Sequence, residues 1–295
     1  MSKHRPRIGL ALGGGGARGW AHLGVIRVLE EAGFAPEIVC GTSMGAIVAA
    51  GYAAGEFERL DRWARTLDWP AVASLMDWRL AGGLMQGTRL VDFFRAHFDD
   101  CGIEQLPRRF GCVATELTTG REVWLREGPV IDAVRASIAM PGLLAPVVQD
   151  ERLLVDGGLV NPVPVSLCRA LGADIVIAVD LNWDLIGRRA KLRELPSTPP
   201  GQASNALVDT IFGRFRERTL DPQESPSLKD VVLTSLNIMQ VRITQSRLAG
   251  EPADVLIRPH LGGIVAMDFH RAAAAAAEGE RAAREALPQL EPLLG

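Results

Sequence analysis

What the chain has little of narrows its reading before any motif is considered. Only four cysteines occur, Cys40, Cys101, Cys112 and Cys168, and no two of them form a C-x-x-C pair. That spacing argues against a metal site and a disulfide framework, so reduced, buried thiols are expected. Net charge is small: 32 Lys and Arg against 35 Asp and Glu leave −3, with a pI near 6.0. So balanced a chain has no overall field to draw in nucleic acid or an anionic membrane, and no nucleic-acid partner is expected. No apolar run reaches the roughly 18–20 residues of a transmembrane helix. The basic start, "MSKHRPRIGLALGGGGA", has about five apolar residues before its glycines. A secretory h-region needs roughly seven to fifteen. A cytoplasmic location is therefore expected, peripheral at the inner face of the membrane where the protein meets lipid. No internal repeat divides the chain.

What is there is a globular composition, 47% hydrophobic and 23% charged over 295 residues, enough for a sizeable core. Strand and helix patterns alternate. Strands are expected at 7–12, 38–40, 152–155 and 174–179, with helices at 17–32, 44–54, 56–66, 88–98, 130–137 and 163–171. "RFGCVATELTTGREVWLREG" reads as two strands around a Thr-Thr-Gly turn, an antiparallel hairpin. After the stretch 183–226, which is Pro-, Ser- and Gln-containing and reads as either a mobile excursion or a lid, a helix, a strand ("ADVLIRP") and an Ala-rich helix at 270–287 close the chain. Alternation with continuously apolar strands predicts an α/β fold, a mostly parallel sheet covered on both faces, in a single domain over 1–295.

The first strand runs into four glycines and out into a helical pattern. Gly14, Gly16 and Gly19 satisfy G-x-G-x-x-G in the context that phosphate loops require. A dinucleotide site also wants an acid at the end of the second strand. Here there is none between Ile38 and Gly55, and no lysine follows the glycines as a P-loop needs. In the place of the acid stands Gly41-Thr42-Ser43-Met44-Gly45, a G-x-S-x-G sequence. A serine on a sharp strand-to-helix turn has its hydroxyl exposed at the positive end of a helix, with small neighbours for close approach. Ser43 is thus a candidate nucleophile, with a plain helix N-cap as the alternative.

A nucleophilic serine needs a base. Of the five histidines, His4 lies in the tail, His97 in an amphipathic helix and His270 at a helix start, while His22 suits packing or hydrogen bonding. His260, with Asp156 or Asp180, would complete a Ser-Asp-His order. The other candidate base is Asp156 itself, which ends an apolar strand, read as parallel, before Gly157 and Gly158 turn the chain away. Burial would raise its pKa toward that of a useful base; a turn-forming aspartate is the competing reading. Gly14, Gly15 and Gly16 would then present N–H groups to an oxyanion, each donor worth about 3 kcal/mol. Arg18 would fix that loop by pairing with a carbonyl or an acid. "LDWPAVASLMDWRLAGGLM" (67–85) reads as an irregular stretch whose Trp69, Met76, Trp78 and Met85 either pack against the helices or form an acyl entrance that touches membrane.

G-G-G-x-R-G at 14–19, G-x-S-x-G at 41–45 and D-G-G at 156–158 together resemble the patatin-like phospholipase family, in particular its small bacterial RssA-type members and the neuropathy target esterase branch. The resemblance implies a three-layer α/β/α sandwich and a Ser-Asp dyad without histidine. It makes Ser43 the nucleophile, Asp156 its base, Gly14, Gly15 and Gly16 the oxyanion loop with Arg18 its support, and "RASIAMPG" (135–142) a structural lining. It also implies hydrolysis of a lipid or lysolipid ester with no cofactor. One departure is Gly13, where many members carry Asp. The rival readings are a non-catalytic regulatory or scaffold protein of the same fold, and a nucleotide-binding protein.

Overall fold

The computed structural model describes residues 5–75, 80–81, 84–98, 100–185 and 228–293. Most of the excursion expected at 183–226 lies outside them. Along the chain, β1 (Ile8–Leu12) passes through a 3-10 turn (Gly16–Trp20) into α1 (Ala21–Glu31), and β2 (Ile38–Thr42) into α2 (Met44–Ala53). Then follow α3 (Phe57–Thr66), α4 (Trp69–Ser74), a small hairpin of β3 (Leu80–Ala81) and β4 (Leu84–Met85), and α5 (Thr88–His97). The hairpin of β5 (Arg109–Glu116) and β6 (Glu122–Leu125) leads to α6 (Val130–Ser137), β7 (Val147–Gln149), β8 (Arg152–Asp156), α7 (Val165–Ala170) and β9 (Ile175–Val179). The last described elements are α8 (Leu228–Gly250), β10 (Val255–Ile257) and α9 (Ala272–Leu290).

Eight strands form one sheet, in the order β10-β9-β1-β2-β5-β8-β7, with β6 on β5. From β10 to β5 every pairing is parallel. Period-two alternation sends Leu10 and Leu12 to one face, where α1, α2, α6 and α9 cover them, and Ala11 to the other, where α7 lies with Cys168 and Leu167. The fold is a three-layer α/β/α sandwich, as the alternation predicts.

Two expectations change. The strand that carries Asp156 is antiparallel, since β8 pairs in that sense with both β5 and β7. Strand direction is set by tertiary pairing, which a short apolar run does not encode. The stretch 67–85 is also more regular than its composition suggests. Asp68 caps α4 by accepting from Ala71 N at 2.8 Å, with Pro70 in the first turn where its missing N–H costs nothing.

The direction of β8 has a consequence at the sheet centre. One edge of β5 is taken by β6, opposite residues 112–115. The other edge is shared: β2 pairs with residues 109–113 and β8 with residues 114–116. Running oppositely, β2 and β8 meet end to end there, Thr42 opposite Val113 and Asp156 opposite Ala114.

The Ala-rich α9 packs on α1 at backbone distance. A Cβ on Gly24 would run into the Ala276 carbonyl, and one on Gly279 into the Ala21 carbonyl. Helix propensity favours alanine over glycine by about 1 kcal/mol, whereas forcing two helices apart costs about 1–3 kcal/mol. Gly24→Ala should therefore lower the urea midpoint although it improves the local propensity. An unchanged or raised midpoint would mean that the helices separate at no cost.

Candidate active site

At the end of β2 the chain must reverse into α2 within one residue. Ser43 takes φ 55° and ψ −125°, a positive-φ conformation that a serine rarely adopts and that costs on the order of 1–3 kcal/mol. The turn closes tightly because positions on both sides have no Cβ. One on Gly41 would enter the Gly45 carbonyl, and one on Gly45 the Leu12 carbonyl. The G-x-S-x-G spacing is thus a packing requirement, and Ser43 stands at the N-cap of α2 without using its side chain as a cap.

Asp156, at the end of β8, is 1% exposed. Its Oδ1 accepts from Gly158 N at 2.7 Å, so the turn-forming reading holds for that oxygen. Its other oxygen, Oδ2, is buried with no donor at full hydrogen-bond geometry. Burial pushes the carboxyl up from 3.8 to about 6, partly opposed by the Ser43 side chain and by Gly158 N–H. The Ser43 hydroxyl is therefore close enough to stabilise the carboxylate, while the strict contact remains open. Loose contacts of this kind are common in ligand-free sites. Gly157 packs under the Val113 carbonyl, where no side chain fits.

The glycine loop is held from behind, one carbonyl at a time. His22 Nε2 lies 2.8 Å from Gly13 O, Asn182 Nδ2 donates to Gly14 O at 3.0 Å, and Arg18 Nε donates to Gly15 O at 3.1 Å. A carbonyl only accepts, so His22 carries its proton on Nε2. Burial drives its pKa down to about 4 and keeps the ring neutral. Arg18 is buried and bound to the loop carbonyl. The three glycines are not equivalent. Gly14 N–H is committed to Pro162 O at 3.0 Å and Ala17 N–H to Ala266 O at 2.8 Å. Among the described residues, the N–H groups of Gly15 and Gly16 are not among those paired outside helices and strands. At Gly13, a Cβ would approach Val179 O and Val163 Cγ2 at 2.7 and 3.0 Å, so the absence of a side chain there fits this chain's packing.

Sequence reasoning missed Ser137, Ala139 and Asn182. Ser137 Oγ accepts from Ser43 N at 3.0 Å and donates to Val113 O at 2.7 Å. Ala139 O accepts from Asp156 N at 2.9 Å. The 135–142 segment is thus more than lining: it bridges the gap where β2 and β8 meet. Neither a serine at a helix end nor an asparagine after a strand carries a sequence signal. His260 is half-exposed beside Trp183, its Nδ1 4.0 Å from Asp184 Oδ2, and it is not among the groups that perturb Asp156.

Ser43 opens into a cavity of about 160 Å³ whose other walls include Trp20, Met44, Ile47, Phe94 and Met140. Leu67, Val72, Leu75 and Met85 from the stretch 67–85 line it, so that part of the stretch packs over the site. Trp69 instead packs at a tilt against His270 with ring centres 4.5 Å apart. Met76 and Trp78 lie outside the described residues.

Residues 10–169 match the model of the patatin-like phospholipase family, a span that contains all three motifs. An uncharacterized NTE family protein of Mycobacterium tuberculosis is 33% identical, over 97% of this chain and 92% of its own length. The chain belongs to the patatin-like phospholipase family. It is also 34% identical to the lysophospholipase nte1 of Aspergillus fumigatus, over 89% of this chain and 17% of that protein. Among solved structures, VipD from Legionella pneumophila aligns at a TM-score of 0.49 and 14% identity, over 96% of this chain and 67% of that chain. Within the described residues, no helix is long and apolar enough to cross a membrane.

A carboxyl whose folded pKa exceeds its unfolded value destabilises the fold where it is charged. That cost is absent below about pH 4 and complete above about pH 6, where it amounts to about 3 kcal/mol. Asp156→Asn keeps an acceptor for Gly158 and removes the charge. Urea unfolding should show the variant gaining on the wild-type protein as pH rises from about 4 to 7. A difference that does not vary with pH would mean that Asp156 carries no burial penalty.

Proposed function

We propose that the protein is a serine esterase, a carboxylic ester hydrolase acting on a lipid or lysolipid, with Ser43 as nucleophile and Asp156 as general base. The observation that carries this reading is the position of Ser43, strained, next to a buried carboxyl of raised pKa and in the wall of an apolar cavity. Apart from Ser43 and glycine, every residue lining that cavity is apolar, which suits an acyl chain and not a ribose or phosphate. The lysophospholipase among the relatives supports the same substrate class.

In the proposed reaction Asp156 takes the Ser43 proton as Oγ attacks the acyl carbonyl. The N–H groups of Gly15 and Gly16 face the oxyanion. Collapse expels the alcohol, which receives the proton from Asp156, and leaves an acyl-Ser43. Asp156 then takes a proton from water as its oxygen attacks the acyl carbon; collapse breaks the acyl–Oγ bond, Asp156 returns the proton to Ser43 Oγ, and the fatty acid leaves. The chemistry requires neither a metal nor an organic cofactor. Contact with a membrane surface belongs to this reading, because a lipid acyl chain has to leave a bilayer to reach the cavity.

A fluorophosphonate probe should label the wild-type protein and leave folded Ser43→Ala unlabelled, with ester hydrolysis falling by at least about 10³-fold. Labelling that persists in Ser43→Ala would sink the assignment, and a wild-type protein inert to probe and esters would favour the scaffold reading. Because the base must be ionised, kcat/KM should rise with pH through an apparent pKa of about 6 and level off above it. A profile that falls over the same range would remove Asp156 as the base.

A further inference from the structure

Beyond the first cavity lies a smaller one of about 50 Å³. The two share two lining side chains, Ile47 from α2 and Phe94 from α5. Past Ile47, α2 continues into the second cavity with Ala50, Gly51 and Ala54. Ser43, Ile47, Ala50 or Gly51, and Ala54 recur at helical spacing, so one stripe of α2 leads from the nucleophile through both cavities. At 1.5 Å per residue that stripe is roughly 16 Å long, and everything on it beyond Ile47 is small.

We propose that Ile47 and Phe94 form a wall that sets the acyl-chain length this site accepts, with the second cavity as an extension that opens when the wall is cut back. The inference rests on the ester-hydrolase reading above. A cavity of about 150 Å³ takes a benzene-sized molecule, so the first cavity, at about 160 Å³, holds a short acyl segment. A longer chain must leave through the mouth or displace the wall. Phe94 resists displacement: its ring meets Trp63 edge-on at 5.8 Å and Phe98 at 5.6 Å. Ile47 is β-branched and stiff at χ1, which fixes the other half of the wall. Behind them, Ala50 gives the second cavity only a methyl group, while Gly51 packs against Leu60, whose Cδ2 a Cβ there would meet at 2.7 Å.

The test measures kcat/KM for p-nitrophenyl esters from butanoate to hexadecanoate with the wild-type protein, Ile47→Ala, Phe94→Ala and the milder Phe94→Leu. The wild-type optimum is expected at a short chain. Each folded wall variant should move it to longer chains, raising the long-to-short ratio by about ten-fold or more, the weight of a methylene or two in an apolar pocket. Adding Ala50→Leu to a wall variant refills the second cavity and should bring the optimum back. Ser43-dependent hydrolysis with the same chain-length profile in every folded wall variant overturns the wall. No Ser43-dependent hydrolysis of any ester by the wild-type protein overturns the hydrolase reading itself, and is told apart by that result.

Discussion

The site depends on two strands of opposite direction meeting end to end on a single edge of β5. Because β2 ends at Thr42 opposite Val113 and β8 ends at Asp156 opposite Ala114, a hydroxyl and a carboxyl from distant parts of the chain leave their strands at one point. Such a junction breaks the ladder, and the polar groups it frees are buried. They are satisfied from two sides: at the end of α6 and just past it, Ser137 takes Ser43 N–H and Ala139 takes Asp156 N–H, and from β5 Thr115 Oγ1 donates to Asp156 O at 2.8 Å. A slip of β8 by one residue would send Asp156 to the opposite face of the sheet. The antiparallel partners β5 and β7, on either side of β8, are what fix its register.

Two costs are concentrated at this junction, the strained backbone of Ser43 and the buried carboxyl of Asp156. Neither stabilises the fold. Both are sustained because the surrounding layers are closely packed: Trp20, Leu10, Leu12 and Leu154 are all but fully buried nearby. The serine cannot relax without moving α2, whose start is locked against Leu12 by Gly45. The carboxyl cannot swing to water without surrendering Gly158. Strain and desolvation are thus held in place by contacts made elsewhere, a common distribution at functional sites.

How far the sequence revealed this follows from the range of each interaction. The strained serine turn and the aspartate turn need small residues within two positions of the key side chain, so G-x-S-x-G and D-G-G were legible as local patterns. The three layers were legible too, because apolar runs alternate with helical periods. The direction of β8 was not, since Arg152–Asp156 makes the same pattern whichever way it pairs. Ser137 and Asn182 were invisible because they act across 94 and 168 residues of chain. The cap of α4 was readable in Asp68-Trp69-Pro70, whereas which residues of the stretch pack over the cavity depends on contacts made across the fold.

The glycine loop shows why a spacing rule shared with phosphate loops can serve another end. In a peptide plane the carbonyl of one residue and the N–H of the next point in opposite directions. Asn182 on Gly14 O therefore aims Gly15 N–H away from Asn182, and Arg18 on Gly15 O does the same for Gly16 N–H. His22 on Gly13 O likewise turns Gly14 N–H outward, but there Pro162 O takes it up. The loop thus offers two oriented donors, with Gly16 lining the apolar cavity. A phosphate presents several oxygens and would draw on a wider arc of N–H groups than this loop leaves free. In the proposed ester hydrolysis, two fixed donors beside Ser43 would match the single oxygen that becomes charged when the carbonyl is attacked. The three side chains would then hold that geometry before substrate arrives, so the loop would not reorganise as the charge develops.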